Sequence, residues 1–168
     1  FVPTGLVNWL LSAFRLAPLF QSRRRVDGFV RLRDTVELVR HFGSEVEEHV
    51  VFTDDGHMLM LHRIVDRDAD PRAAKRIPVL MLHGSMLASD IWLVHRERAK
   101  NLPLALHDTA RYDVWLANRR GNKYSNKHVV YRPGQPEFWD WSIDETALYD
   151  LPAMVEHVLE VTGCGSLV

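Results

Sequence analysis

Alternating and unbroken apolar runs divide most of the chain into short strands and helices. Glu45-Val-Glu-Glu-His-Val-Val-Phe-Thr53 and Met58-Leu-Met-Leu-His-Arg-Ile-Val65 are strand-like runs joined by Asp54-Asp55-Gly56. A turn of that composition between two such runs predicts an antiparallel hairpin. Ile77-Pro-Val-Leu-Met-Leu82 and Tyr112-Asp-Val-Trp-Leu-Ala117 are more continuously apolar, as expected of strands buried on both faces. Between them, residues 89–110 carry Trp92, Leu93, Leu102, Leu104 and Leu106 and are predicted mainly helical. Strand, helix and strand in that order predict a parallel pair with a crossover.

The strongest helical signal runs from Asp144 to Val161, with Ala147, Leu148, Leu151, Val155, Val158 and Leu159 on one face. Ser142 and Glu145 stand at the S-x-x-E spacing of a capping box, Pro152 predicts a kink or a fresh start, and Gly163 a stop. Ser166-Leu-Val168 then reads as the opening of a further parallel strand. The charged stretch from Asp66 to Arg76 and the polar residues 123–140, punctuated by Tyr124, Tyr131, Phe138 and Trp139, are predicted loops.

The first residues follow a different pattern. Phe1 to Phe20 contain a single charge, Arg15, and Thr4, Asn8, Ser12 and Arg15 form a narrow polar stripe on an otherwise apolar helix. Pro3 and Pro18 bracket it, and Arg23-Arg24-Arg25 follow, which suits an anionic membrane surface. About 14 helical residues, some 21 Å long, fall short of the about 20 residues of a full span. Residues 1–25 therefore read as an interfacial or re-entrant anchor, the remnant of a transmembrane helix, or a helix packed on the protein's own core. Phe29, Leu32, Val36 and Val39 predict a connecting helix over 26–42, leaving 43–168 as the globular body.

Composition narrows the chemistry. In 168 residues, 46% are apolar, and 21 basic against 22 acidic side chains leave a net charge of −1, so no global field favours nucleic acid. The lone Cys164 excludes an internal disulfide, and the nine histidines lack metal-ligand spacing, so neither a metal nor an organic cofactor is expected.

The chemical signal is His83-Gly84-Ser85-Met86, directly after an apolar strand. Acyl transfer needs fixed N–H donors for the oxyanion of a tetrahedral intermediate, and here the donor would be the backbone N–H of Ser85. An HG after a strand is also an ordinary turn. Asn118, Gly121 and Asn122 follow the 112–117 strand and read either as site lining with Met86 or as a turn whose amides satisfy backbone groups. Asp140, Asp144 and Glu145 read as helix capping before paired acids, while Trp92, Trp115, Trp139 and Trp141 suit core packing as well as acyl-chain contact.

The words EVEEHVVFTDDGHMLMLHRI, LMLHGSMLASDIWLVHRERAKNLPLAL, YDVWLANRRGNKYSNKH and EFWDWSIDETALYDLPAMVEHVLEVTG, in this order, resemble the acid lipase family of α/β-hydrolases. That family includes lysosomal acid lipase, gastric lipase and the fungal steryl ester hydrolases and triacylglycerol lipases, the last branch being the nearest in wording. The resemblance covers roughly residues 43–168 and implies the N-terminal part of an α/β-hydrolase fold: an antiparallel hairpin, then parallel strands with crossover helices. It implies a serine nucleophile after the strand that opens at Ser166, with an Asp and a His much farther on. No G-x-S-x-G occurs in these residues, so the chain reads as the front part of such an enzyme, without triad members and inactive alone.

His83 and Gly84 then shape the oxyanion loop and Ser85 supplies its backbone donor, where the family usually has leucine. The implied substrates are neutral lipid esters met at a membrane or lipid-droplet surface. Two other readings stay open: a catalytically inactive product that binds membrane or lipid, and another chemistry of the same fold, such as epoxide opening.

Overall fold

The computed structural model describes residues 34–66 and 75–168. The expected apolar helix and its basic flank, residues 1–25, lie outside the described residues, as does the 26–33 part of the connecting helix.

Helix α1 (Thr35–His41) begins at Asp34, whose side chain accepts the Glu37 N–H at 2.8 Å. It leads into β1 (Glu45–Phe52) and β2 (His57–Val65), paired antiparallel from Glu45↔Val65 to Phe52↔Met58. The turn between them needs Gly56, whose φ is +96° and whose missing Cβ would lie 2.7 Å from Val129 Cγ2. β3 (Ile77–Leu82) and β4 (Tyr112–Asn118) are parallel, Ile77↔Tyr112 to Leu82↔Ala117, and β4 pairs antiparallel with β2.

The sheet order is β1-β2-β4-β3. On the far side of β3, Val168 N–H donates to Pro78 O (3.0 Å) and Leu80 N–H to Val168 O (2.9 Å). That is the ladder of a residue lying parallel and opposite Val79, so Val168 stands in the place of a further parallel strand. Its neighbour Leu167 packs against the core cluster.

The 89–110 stretch is less helical than its apolar spacing suggests. Two 3₁₀ turns, Ser89–Leu93 and Arg98–Lys100, precede α2 (Leu102–Asp108). Asn101 breaks the run: its side chain accepts the His95 N–H and donates to the carbonyls of His95 and Glu97, and Pro103 restarts the helix. The polar loop after β4 also holds more order than its composition implies. Lys127–His128 form a short β5 that pairs with His57 and Met58, and Pro136–Trp139 form a 3₁₀ turn.

The final helix comes in three pieces: α3 (Ile143–Glu145), a π turn (Thr146–Asp150) and α4 (Leu151–Thr162). Ser142 and Glu145 form the capping box, α4 restarts with Pro152 in its first turn, and Gly163 caps it at φ +60°. Met154 and Val158 of α4 lie over Val51, Leu59, Leu61, Trp115 and Ala117, which the strand register brings to one sheet face. Among the described residues no helix is long and apolar enough to cross a membrane.

Candidate active site

His83, Gly84 and Ser85 leave β3 at its C-terminal end, on the edge where Val168 pairs. The His83 ring is 5% exposed and has a partner on each nitrogen. Nε2 lies 3.0 Å from Asn122 Nδ2 and 3.3 Å from the backbone N of Arg119, two groups that can only donate. Nε2 is therefore the lone-pair nitrogen and the proton sits on Nδ1, which donates to Gly84 O at 2.8 Å. Burial first, and the nearby Arg119 charge, hold the ring below the usual histidine range, and it is neutral at neutral pH.

Gly84 O also accepts Leu87 N–H at 3.3 Å, closing a turn over Gly84–Leu87. Because the C=O and the following N–H of a trans peptide point in opposite directions, fixing Gly84 O aims the Ser85 N–H away from His83. That N–H takes no acceptor among the described residues. The Ser85 hydroxyl points elsewhere, accepting from Arg119 Nη2 at 3.3 Å. Met86 holds the turn at φ +60°, which costs a non-glycine residue on the order of 1–2 kcal/mol, and its side chain is 99% exposed.

Asn118 and Asn122 stand behind this loop. Asn122 Oδ1 accepts Tyr124 N–H and Ser125 N–H, both at 2.9 Å, and its amide donates to His83 and to Asn118 Oδ1 (2.9 Å). Asn118 Nδ2 donates to Met60 O at 3.2 Å, and its Oδ1 accepts Ser89 N–H at 2.9 Å, which ties β2, β4 and the Ser89–Leu93 turn together. Gly121, at φ +81°, lies under Trp141, whose Cζ2 would be 2.6 Å from an added Cβ.

A serine–histidine pair is buried in the same region. Ser89 Oγ is 3.1 Å from His62 Nδ1, and Glu48 Oε1 is 3.8 Å from His62 Nε2. The order of groups is that of a catalytic triad, but Ser89 and His62 are both 0% exposed and no substrate reaches them. Ser89 Oγ also meets Thr35 Oγ1 at 2.7 Å and accepts from Asn118 Nδ2 at 3.1 Å, so the cluster fastens α1 to the sheet.

Neither sequence pattern nor spacing singled out Arg120, which is 2% exposed and held between two carboxylates. Its Nη1 and Nη2 donate to Asp55 at 2.6 and 2.9 Å, its Nε to Asp150 Oδ1 at 2.8 Å, and its backbone N–H to Asp150 Oδ2 at 3.0 Å. The three residues lie far apart in sequence, and only the π turn's placement of Asp150 reveals the group. No set of three or more His, Cys, Asp or Glu groups among the described residues could hold a metal ion.

Residues 35–96 match a family described as a partial α/β-hydrolase lipase region. Over these residues the chain is similar to that lipase region. A protein of Schizosaccharomyces pombe named a probable lipase is 42% identical over 96% of this chain and 37% of its own length. A Caenorhabditis elegans lipase is 43% identical over 95% of this chain and 40% of its own. Triacylglycerol lipase 2 of Arabidopsis thaliana is 42% identical over 74% of this chain and 30% of its own. The chain thus spans no more than 40% of the length of these relatives.

Proposed function

We propose that His83-Gly84-Ser85 is the oxyanion loop of a serine ester hydrolase acting on neutral lipid esters, triacylglycerols or steryl esters. The observation that carries this is the Ser85 N–H, unpaired among the described residues and aimed by a carbonyl fixed through two hydrogen bonds. Val168 lies opposite Val79, and Leu82 is three positions further along β3. A strand continued in that register would reach the level of the loop within one turn of an elbow, where the serine implied by the family would stand. Serine attack, with proton transfer to a histidine, would form the tetrahedral oxyanion against Ser85 N–H and the N–H following the nucleophile. Collapse would break the ester C–O bond, the alcohol leaving with the proton from the histidine, and attack by water on the acyl-serine, its proton taken by the histidine and returned to the serine, would release the fatty acid.

Residues 1–25 would hold this site at a membrane or lipid-droplet surface, a reading supported by their apolar face and the adjoining three arginines. The 168 residues contain no nucleophile elbow, so by themselves they would form no acyl-enzyme. The deciding experiment assays a polypeptide of the relatives' length, with and without residues 1–25, on a soluble p-nitrophenyl ester and on emulsified triolein and cholesteryl oleate. Ser85→Pro, which removes the N–H, lowers kcat about 10²–10³-fold on every ester, whereas Ser85→Ala loses far less. Loss of residues 1–25 lowers the rate on emulsions only. Equal rates for Ser85→Pro and wild type would overturn the oxyanion assignment.

A further inference from the structure

We infer that Asn122 is a positioning residue for ester hydrolysis: through the tautomer of His83 it sets the direction of the Ser85 N–H. The inference rests on the oxyanion reading and extends it to a residue 37 positions away from Ser85 in the chain.

A chain of donors leads from the Tyr124–Ser125 backbone through Asn122 to His83. Tyr124 N–H and Ser125 N–H both donate to Asn122 Oδ1, so its amide cannot turn over without setting an NH2 against two N–H groups. Nδ2 is thereby fixed toward His83 Nε2 and Asn118 Oδ1, and all four of its hydrogen-bonding capacities are used. Asn122 Nδ2 at 3.0 Å, with the longer Arg119 N–H at 3.3 Å beside it, faces Nε2 as a donor and forbids a proton there. The proton is left on Nδ1, the only ring nitrogen that can reach Gly84 O, and the orientation of the Gly84–Ser85 peptide follows from that bond. Were Nε2 protonated instead, Nδ1 would be a lone pair facing a carbonyl oxygen, and the loop would be pushed open.

Asn122→Asp tests this with little change of shape. One carboxylate oxygen still accepts Tyr124 N–H and Ser125 N–H, but the other now faces His83 Nε2 as an acceptor and gives up the 2.9 Å bond to Asn118 Oδ1, which keeps its Ser89 N–H. At low pH an imidazolium satisfies both sides, with Nε2–H toward the carboxylate and Nδ1–H toward Gly84 O. At high pH the charge-assisted bond to the carboxylate outweighs the long Arg119 N–H contact at 3.3 Å, draws the neutral ring's single proton to Nε2 and releases Gly84 O. The other charges that act on His83 are Arg119, which disfavours its protonation, and Asp90, which favours it and is itself paired with Lys123 at 2.6 Å.

The experiment uses a hydrolytically complete polypeptide containing these residues and a soluble p-nitrophenyl ester. The ratio of kcat for Asn122→Asp to wild type is followed with pH, which cancels the titration of the catalytic histidine. The expected ratio is within about threefold of unity on the acid side and falls tenfold or more on the alkaline side, with KM nearly constant. His83→Asn places an amide NH2 near the Nδ1 position without a tautomer, so the double variant His83→Asn/Asn122→Asp loses the alkaline limb. Long-range ¹H–¹⁵N correlation of the histidine ring gives an independent readout: wild type carries Nδ1–H, and alkaline Asn122→Asp carries Nε2–H.

An active enzyme whose ratio is flat with pH overturns the inference and leaves the hydrolase reading. Wild-type Nε2–H overturns it as well, even if Asn122→Asp fails to fold. A polypeptide with Nδ1–H that hydrolyses no ester overturns the hydrolase reading instead.

Discussion

His57 and His62 show how much burial alone does at single residues. Each is almost completely buried, and burial, ahead of any neighbouring charge, lowers each pKa to about 4 from 6.5. Both nitrogens of His57 lack a partner, between the rings of His128 and Phe138, so protonation would leave a cation with no acceptor. Their folded values lie below the unfolded one, so the stability they contribute is complete above about pH 6.5 and declines as pH falls toward 4. There the folded state also begins to bind protons. The full effect is about 3 kcal/mol for each ring, and the urea midpoint should fall steeply between pH 6.5 and 4.5. A midpoint constant over that interval would show that these rings are solvated. None of this was legible in the sequence, which placed both histidines on a hairpin without distinguishing inward from outward positions.

At the scale of elements, short-range rules carried the prediction as far as the partners lay within one turn. The capping box at Ser142, the hairpin at Asp54–Gly56 and the stop at Gly163 all depend on neighbours three or four residues away. Residues 89–110 resisted because Asn101 competes for backbone groups through contacts that apolar spacing cannot express. The restart of the final helix at Leu151–Pro152 was legible from Pro152, whereas the π form of the turn before it was not. Thr146–Asp150 carries Asp150 to Arg120, and Arg120 in turn holds Asp55 at the hairpin, so one guanidinium joins three elements.

Burial pushes the Asp150 carboxyl up, against the Arg120 bonds that draw it down; the same bonds outweigh burial at the more exposed Asp55 and hold it low. Removing the cation leaves a carboxylate that is 1% exposed. Arg120→Met should therefore destabilise the fold by about 3–5 kcal/mol. Adding Asp150→Leu to that variant should restore much of the loss, since a buried ion group replaced by apolar side chains of similar volume is often near neutral. Denaturation midpoints of the two variants give the test; a double variant no more stable than Arg120→Met would mean that the π turn, rather than the charge, carries the cost.

Over the whole molecule, the sheet was legible as a hairpin followed by a parallel pair, because burial on one face or two leaves different apolar patterns. Its order was not, since only the Met60↔Asn118 register inserts β4 between β2 and β3. The candidate site divides in the same way: His83-Gly84-Ser85 stands out as a local motif, while Asn122, legible only as site lining or a turn residue, needed the fold to show its contact with His83. This order also determines how the 168-residue chain behaves by itself. Among the described residues only Val168 pairs with the outer edge of β3, and Ile77, Leu82, Met86, Leu87, Ile91 and Val94 are each more than a third exposed around β3 and the loops after it. An apolar surface beside an open parallel edge favours pairing with another copy. Expressed alone, the chain should elute larger than a monomer in size exclusion with light scattering, increasingly so with concentration. A charged substitution in the loop, Met86→Lys, should shift it toward monomer, while the same substitution at buried Leu104 should unfold it. A concentration-independent monomer with a single cooperative unfolding transition would show instead that this edge is already closed by the chain's own residues.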